Sequence, residues 1–289
     1  MERGKKTVNS DALTIDAIPV NGGDSFLIMN KDQVMLIDTG YEEYYYEIAA
    51  TLNAYNIKKI DTLVLTHYHP DHIGGASRLF SDYEINQVIL HNNANIASWY
   101  NQYAKRIFDE IVSLTETEGC EVTFANEGYN FNFGEASCRV LSPSKDGYLD
   151  ESVGYDPWLE NEMSVVLKLD YFEKSLLFTG DIGDKAIAFL LKQDDDLSSE
   201  FLKLPHHGST FDQLHGMFIR KVNPSVALIT QRGDIDNTAT SEFLEQENID
   251  ISLLSNNSHI LFSYEESGSQ TNQLHYESYM ELFPKWLRP

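Results

Sequence analysis

Hydrophobic and polar positions along this chain fall into short segments that switch between two periods. Residues 12–20, 25–29 and 33–37 read as strands, with Asn21-Gly22-Gly23 as the turn between the first two. Residues 43–56 carry apolar positions at helical spacing. Residues 62–66 form a continuous run leading into His67, the pattern of a strand buried on both faces. A helix over 73–80, a strand over 85–91 and a longer helix over 96–118 follow. The stretch 121–162 is the least regular, with strand pieces near 122–124 and 137–141 and a loop over 142–162. Strands are then expected at 164–169, 175–179, 201–204, 226–230, 251–254 and 260–263, and helices at 184–192, 211–222 and 238–246. Alternation of this kind in two halves predicts an α/β chain whose sheets are covered by helices. No repeat or low-complexity linker interrupts it. One domain is expected over 11–264, with an irregular insertion at about 121–162 and a surface tail at 265–289.

Composition narrows the class. Of 289 residues, 42% are hydrophobic and 12% aromatic, ample for a large core. Mean hydropathy is −0.34, and no apolar run approaches the ~20 residues of a membrane span. The first eleven residues are polar and lack a signal-peptide core, so the expected location is the cytoplasm, with no membrane partner. Forty-five acidic against 21 basic side chains leave a formal net charge of −24. Such a surface repels polyanions and disfavours duplex nucleic acid as an unaided partner. It leaves room for a small anionic substrate or a protein partner. The two cysteines, Cys120 and Cys138, make no disulfide framework or zinc-ribbon spacing.

Histidine is where the chemistry concentrates. Five of the nine lie in two short stretches: His67, His69 and His72, then His206 and His207. The first reads Thr66-His67-Tyr68-His69-Pro70-Asp71-His72-Ile73-Gly74-Gly75. Imidazole and carboxylate are the donors that borderline metals select. In extended backbone, residues two apart face the same side, so His67 and His69 can converge on one ion. Pro70 then turns the chain, and Asp71 and His72 open a helix towards a second ion. His259, before the last strand, reads as a surface residue. Tyr155 and Trp158 are candidates for a pocket floor, with ordinary loop anchoring as the alternative.

These residues resemble the HxHxDH signature of the metallo-β-lactamase superfamily. Asp38-Thr39-Gly40, Leu177-Phe178-Thr179-Gly180-Asp181 and Leu204-Pro205-His206-His207-Gly208-Ser209 resemble its other signatures, in order. With Asn161 three residues before Ser164, the later motifs are similar to the ComEC-type hydrolase domain and to the phosphorylcholine esterase branch. The resemblance implies an αββα sandwich of two mixed β-sheets flanked by helices. It also implies two divalent ions, Zn or Mn, with Fe also suited. His67 and His69 would hold one ion, Asp71, His72 and His207 the other, and Asp181 would bridge them. Asp38 would support the ligand loop. Asp71 would orient a hydroxide held between the ions, and His206 would contact the phosphate or leaving oxygen; the choice between His206 and His207 as ligand stays open.

Two departures stand out. No histidine lies between His91 and His206 to complete the first site, unless Glu160, Asn161 or Glu162 substitutes. A late Gly-His-Pro is also absent, since 233–240 contains no histidine. The expected function is a metal-dependent phosphodiesterase acting on a small or single-stranded phosphodiester. The alternatives are a thioesterase or lactonase, a ComEC-type DNA nuclease, and a non-catalytic regulatory module.

Overall fold

The computed structural model describes residues 11–91, 102–146, 148, 159–230, 237–255, 258–266 and 274–277. Two sheets face each other. The first contains β1 (Ala12–Ala17), β2 (Phe26–Asn30), β3 (Gln33–Ile37), β4 (Lys59–Val64), β5 (Glu84–Leu90), β6 (Glu121–Phe124), β14 (Ser258–Glu265) and β15 (Leu274–Glu277), in the order β15-β14-β1-β2-β3-β4-β5-β6. The second contains β7 (Asn130–Phe133), β8 (Ala136–Ser142), β9 (Val166–Tyr171), β10 (Lys174–Phe178), β11 (Phe201–Lys203), β12 (Val226–Thr230) and β13 (Asp250–Leu254), in the order β13-β12-β11-β10-β9-β8-β7. Each sheet is mixed. β3 to β6 run parallel in one, and β10 to β13 run parallel in the other.

Strand alternation explains the layers. In β2, Phe26 and Ile28 point between the sheets, while Leu27 and Met29 point to the outer face. In β10, Leu176 and Phe178 point inward and Leu177 outward. Both faces are apolar, which is why these strands read as unbroken hydrophobic runs. The outer face of the first sheet is covered by α1 (Tyr45–Ala54), α3 (Ala76–Asp82) and α4 (Gln102–Glu118), through Ile48, Leu52, Leu79, Phe80, Ile107 and Ile111. The second is covered by α6 (Asp184–Lys192), α7 (Gln213–Val222) and α8 (Thr238–Gln246), through Ile187, Leu190, Phe218, Val222 and Leu244. Each such side chain contributes about 1.5–3 kcal/mol on burial. The result is the expected αββα sandwich.

The departures from expectation have local reasons. The helix expected over 73–80 is two pieces, α2 (Pro70–Ile73) and α3, separated by Gly74-Gly75. The segment 121–162, read as irregular, supplies β6, β7 and β8, so it carries the chain from the edge of one sheet to the edge of the other. Polar residues such as Asn130 and Asn132 obscure β7, and pairing with β8 makes it a strand. Part of the segment read as a surface tail is likewise the edge strand β15, paired with β14. Among the described residues, no helix is long and apolar enough to cross a membrane.

His259 is not at the surface. It is buried between β14, β1 and α1, with Nδ1 2.7 Å from Asp16 Oδ1 and Nε2 2.9 Å from Glu47 Oε1. Tyr55 donates to the other Asp16 oxygen at 2.9 Å. Burial opposes a charge on the ring, but Asp16 and Glu47 outweigh it and raise its pKa above the ordinary value. Replacing His259 by Leu strands two buried carboxylates and is expected to cost about 3–5 kcal/mol in urea unfolding. The raised pKa means that the protonated ring stabilises the fold fully below about pH 6.5, the unfolded value, and progressively less as pH rises through the folded one. The gap between the two proteins should therefore narrow on the alkaline side. A gap constant across that range would show that the ring is held without a proton.

Candidate metal centre

The site gathers where parallel strands of both sheets end. Asp38 follows β3, His67 follows β4, Asp181 follows β10, His207 follows β11, and Thr230 closes β12. Carboxyl ends of parallel strands are the usual place for ligands in open α/β sheets.

After β4 the chain stays extended through His69, whose φ and ψ are −72° and 148°. This sets the His67 and His69 rings side by side, centroids 4.8 Å apart. Pro70 starts α2, where its fixed φ suits the first helical position. One helical step then brings the His72 ring to 4.0 Å from that of His67. A Cβ at Gly74 would run into the backbone of Glu42, Pro70 and Gly40, so glycine permits the packing of α2 on the Asp38-Thr39-Gly40 turn. That turn grips His72 at both ends. Asp38 Oδ2 lies 2.7 Å from His72 Nδ1, and Thr39 donates from N and Oγ1 to the His72 carbonyl. Asp38 also accepts from Thr66 N at 2.8 Å and Thr66 Oγ1 at 2.7 Å.

His206 and His207 lie on a strained turn. Both have left-handed backbone, with φ of 48° and 58°. The turn is tied down by Asn237 Nδ2 to the His207 carbonyl and by Thr240 Oγ1 to the Gly208 carbonyl. It sends His207 into the cluster and leaves His206 beside it, ring centroids 6.0 Å apart. His207 Nδ1 lies 2.8 Å from Thr230 Oγ1.

Three imidazole nitrogens converge on one oxygen. Nε2 of His72 and of His207 each lie 3.2 Å from Asp181 Oδ2, and Nε2 of His67 lies 3.9 Å from it. All three nitrogens are buried and lack an aligned hydrogen-bond partner. Asp71 Oδ2 is 3.6 Å from His207 Nε2. Buried polar atoms normally find partners. Nitrogens left open towards a shared carboxylate are the donor set of a cation, so the residues fit divalent ions.

The electrostatics agree. Burial would raise Asp181, but His207, His72 and Lys203 hold it well below the usual carboxylate range. Burial opposes charge on His72, yet Asp181 and Asp38 raise its pKa well above normal. The same balance of burial against Asp181 and Asp24 pushes His207 up to about 10. Burial, with His72 and His69 adding, keeps His67 well below its ordinary value. His206 is lowered by burial. The carboxylates thus favour positive charge at His72 and His207.

Not every residue here is legible in the sequence. Asp24, which lies between the Asn21-Gly22-Gly23 turn and the following strand and carries no motif, joins His72, Asp181 and His207 in a group whose ligand atoms lie within 4.8 Å of one another. Lys203, the one charged residue of β11, is buried among them. A Cβ at Gly23 would run into the Asp71 carbonyl, which lets the Asp24 loop lie against the ligand loop. His91, with no motif around it, is buried, stacks on Tyr68 at 4.3 Å and lies 3.2 Å from Glu160 Oε1.

The three candidates to replace the absent histidine separate cleanly. Glu162 accepts from Lys185 N and Ala186 N at the start of α6. Glu160 accepts from Tyr68 N and faces His91. Asn161, beside them on the short helix α5 (Leu159–Glu162), has a buried Oδ1 with no hydrogen-bond partner. Tyr155 and Trp158 lie outside the described residues, as do 233–236 of the segment 233–240 where Gly-His-Pro is absent.

The sequence pattern of the Metallo-beta-lactamase superfamily matches residues 18–214. The chain belongs to that superfamily. It is 24% identical to ComE operon protein 3 of Bacillus subtilis (strain 168) over 235 residues, 75% of this chain and 28% of that protein. It is 27% identical to Competence protein ComA of Neisseria gonorrhoeae over 212 residues, 71% of this chain and 25% of that protein. The chain therefore spans about a quarter of the length of these curated relatives. Igni18, a metallo hydrolase from the archaeon Ignicoccus hospitalis KIN4/I, has the same fold: TM-score 0.53 at 14% identity, over 88% of this chain and all of that one. Superfamily and donor set together point to a candidate dinuclear metal centre.

Asp38 tests how the centre is built. Asn in its place keeps the shape but loses the charge facing His72 and one of the acceptor oxygens. Metal affinity, measured by chelator competition, is expected to fall about ten- to a hundredfold. Unchanged affinity would show that His72 needs no outer carboxylate.

Proposed function

We propose that the chain is a phosphodiesterase that cleaves a small or single-stranded phosphodiester with two divalent ions, its hydrolase unit running over about residues 11–264. The observation that carries this is the convergence of three buried, unpartnered Nε2 atoms on one oxygen of Asp181. His67 and His69 would hold one ion and Asp71, His72 and His207 the other, with Asp181 between the two sets. When bound, such a pair of ions supplies a nucleophile at neutral pH and a Lewis acid for the reacting oxygen.

The protein's own part is orientation. Asp38 fixes the His72 ring through Nδ1, and the Thr230 hydroxyl sits against His207 Nδ1, so both rings present Nε2 to the centre. Asp71 is only partly covered, with Oδ2 3.6 Å from His207 Nε2. His206, on the strained turn beside His207, is aimed at a phosphate oxygen or the departing oxygen. The Pro-His-His-Gly-Ser segment and the lack of a middle histidine favour a phosphoester over a carboxyl ester. The net charge of −24 favours a small substrate over a long duplex, which would need a partner's basic surface.

The test is hydrolysis of bis(p-nitrophenyl) phosphate with Mn or Zn, beside a thioester and a His69→Ala control. The expected result is metal-dependent phosphodiester cleavage that falls to background in the variant. Turnover of the thioester alone would move the protein to the carboxyl-hydrolase branch. No turnover and no bound ion would make it a regulatory module.

A further inference from the structure

Lys203 is the least expected residue in the centre. Its side chain is wholly buried, and an ammonium group has three protons to place. Three acceptors surround Nζ: Asp24 Oδ2 at 2.5 Å, the Gly180 carbonyl at 2.9 Å and Asp181 Oδ1 at 3.3 Å. The donors are all used, and none is directed at open space. Lys203 therefore holds one oxygen of Asp181 and leaves the other, Oδ2, to the three imidazoles.

Asp24 stands on the opposite side of those imidazoles from Asp181. Its Oδ1 lies 3.3 Å from His207 Nδ1, and its Oδ2 lies 3.9 Å from His72 Nδ1. The two nitrogens of an imidazole point in different directions. An ion on the Nε2 side of His72 and His207 is therefore screened from Asp24 by the rings themselves. The backbone keeps Asp24 there: its N donates to the Asp71 carbonyl at 3.1 Å, and Gly40 N donates to its own carbonyl at 2.9 Å.

We propose that Asp24 and Lys203 form a fixed internal ion pair that positions Asp181 and the two imidazoles, and that Asp24 is a positioning residue, not a metal ligand. The pair links three strand ends, since Asp24 precedes β2, Lys203 ends β11 and Asp181 follows β10. It also supplies a built-in cation. Without it, Asp24 and Asp181 would have only the His72 and His207 imidazoles to offset them whenever ions are absent, and burying like charges is costly. This inference rests on the metal-centre reading above.

The experiment compares wild type, Asp24→Asn, Lys203→Met and the double variant. Each is dialysed to equilibrium against Mn or Zn, ions per chain are counted by mass spectrometry, and affinity is measured by chelator competition. Thermal unfolding in EDTA is followed in parallel. Both single variants are expected to keep a capacity of two ions while affinity falls about ten- to a hundredfold. In EDTA, Lys203→Met is expected to unfold at a lower temperature, and adding Asp24→Asn to it should recover part of the loss. Should Lys203→Met fail to fold, Asp24→Asn and the double variant carry the comparison. Loss of one ion in Asp24→Asn would make Asp24 a ligand and overturn the proposal. So would Lys203→Met with unchanged affinity and unchanged stability in EDTA. If wild type itself takes up no ion, the metal-centre reading fails. The EDTA comparison still reads the ion pair in that case, so the two failures are distinguishable.

Discussion

Everything in this fold bends around one electrostatic problem: four carboxylates, Asp24, Asp38, Asp71 and Asp181, meet where water is scarce. Burying such groups costs several kcal/mol each unless charge or hydrogen bonds meet them. The structure answers each one differently. Asp38 is saturated by Thr66 and His72. Asp24 and Asp181 share the Lys203 ammonium. Asp71 keeps some contact with solvent. What remains unsatisfied is a set of nitrogens facing Asp181 Oδ2, and that remainder is the centre's capacity for cations.

Only strand ends could hold this arrangement. Loops alone would relax under the repulsion, but Asp38, His67, Asp181 and His207 each follow a buried strand within four positions, and Asp71 and His72 are carried on α2. The parallel halves of both sheets deliver their residues to one edge of the sandwich. The layer between the sheets, with Phe26, Phe178, Phe201 and Phe262 in mutual contact, fixes how the two sets of strand ends face each other. Packing far from the site thus sets distances within it.

What the sequence reveals follows from range. The His67 to His72 segment is legible because a strand period and one helical turn decide its geometry locally. Asp38, Asp181 and His207 are legible through the resemblance of the short motifs that carry them, each just past a strand. Asp24 is hidden in a glycine turn that looks like any other, and only its approach to Lys203, far along the chain, gives it a role. Lys203 leaves a faint trace: a charge inside the apolar run Phe-Leu-Lys-Leu, just before two histidines. His259 follows two asparagines and a serine, so its surroundings suggest solvent. Its partners Asp16 and Glu47 come from the other end of the chain. β7 and β15 are strands by pairing more than by composition, which pattern alone does not expose.

The absent histidine has a structural counterpart in α5. Of three adjacent polar side chains, the two carboxylates are already spent, Glu162 on the start of α6 and Glu160 on Tyr68 and His91. The neutral amide of Asn161 is the one left with a buried, unpaired oxygen. That division makes electrostatic sense. A fifth buried carboxylate would add to a surplus that Lys203 only partly offsets, whereas an amide oxygen adds a dipole and no charge. The His72 and His207 side, by contrast, is braced from behind by Asp38, Thr39 and Thr230, so its imidazoles are fixed whatever Asn161 faces.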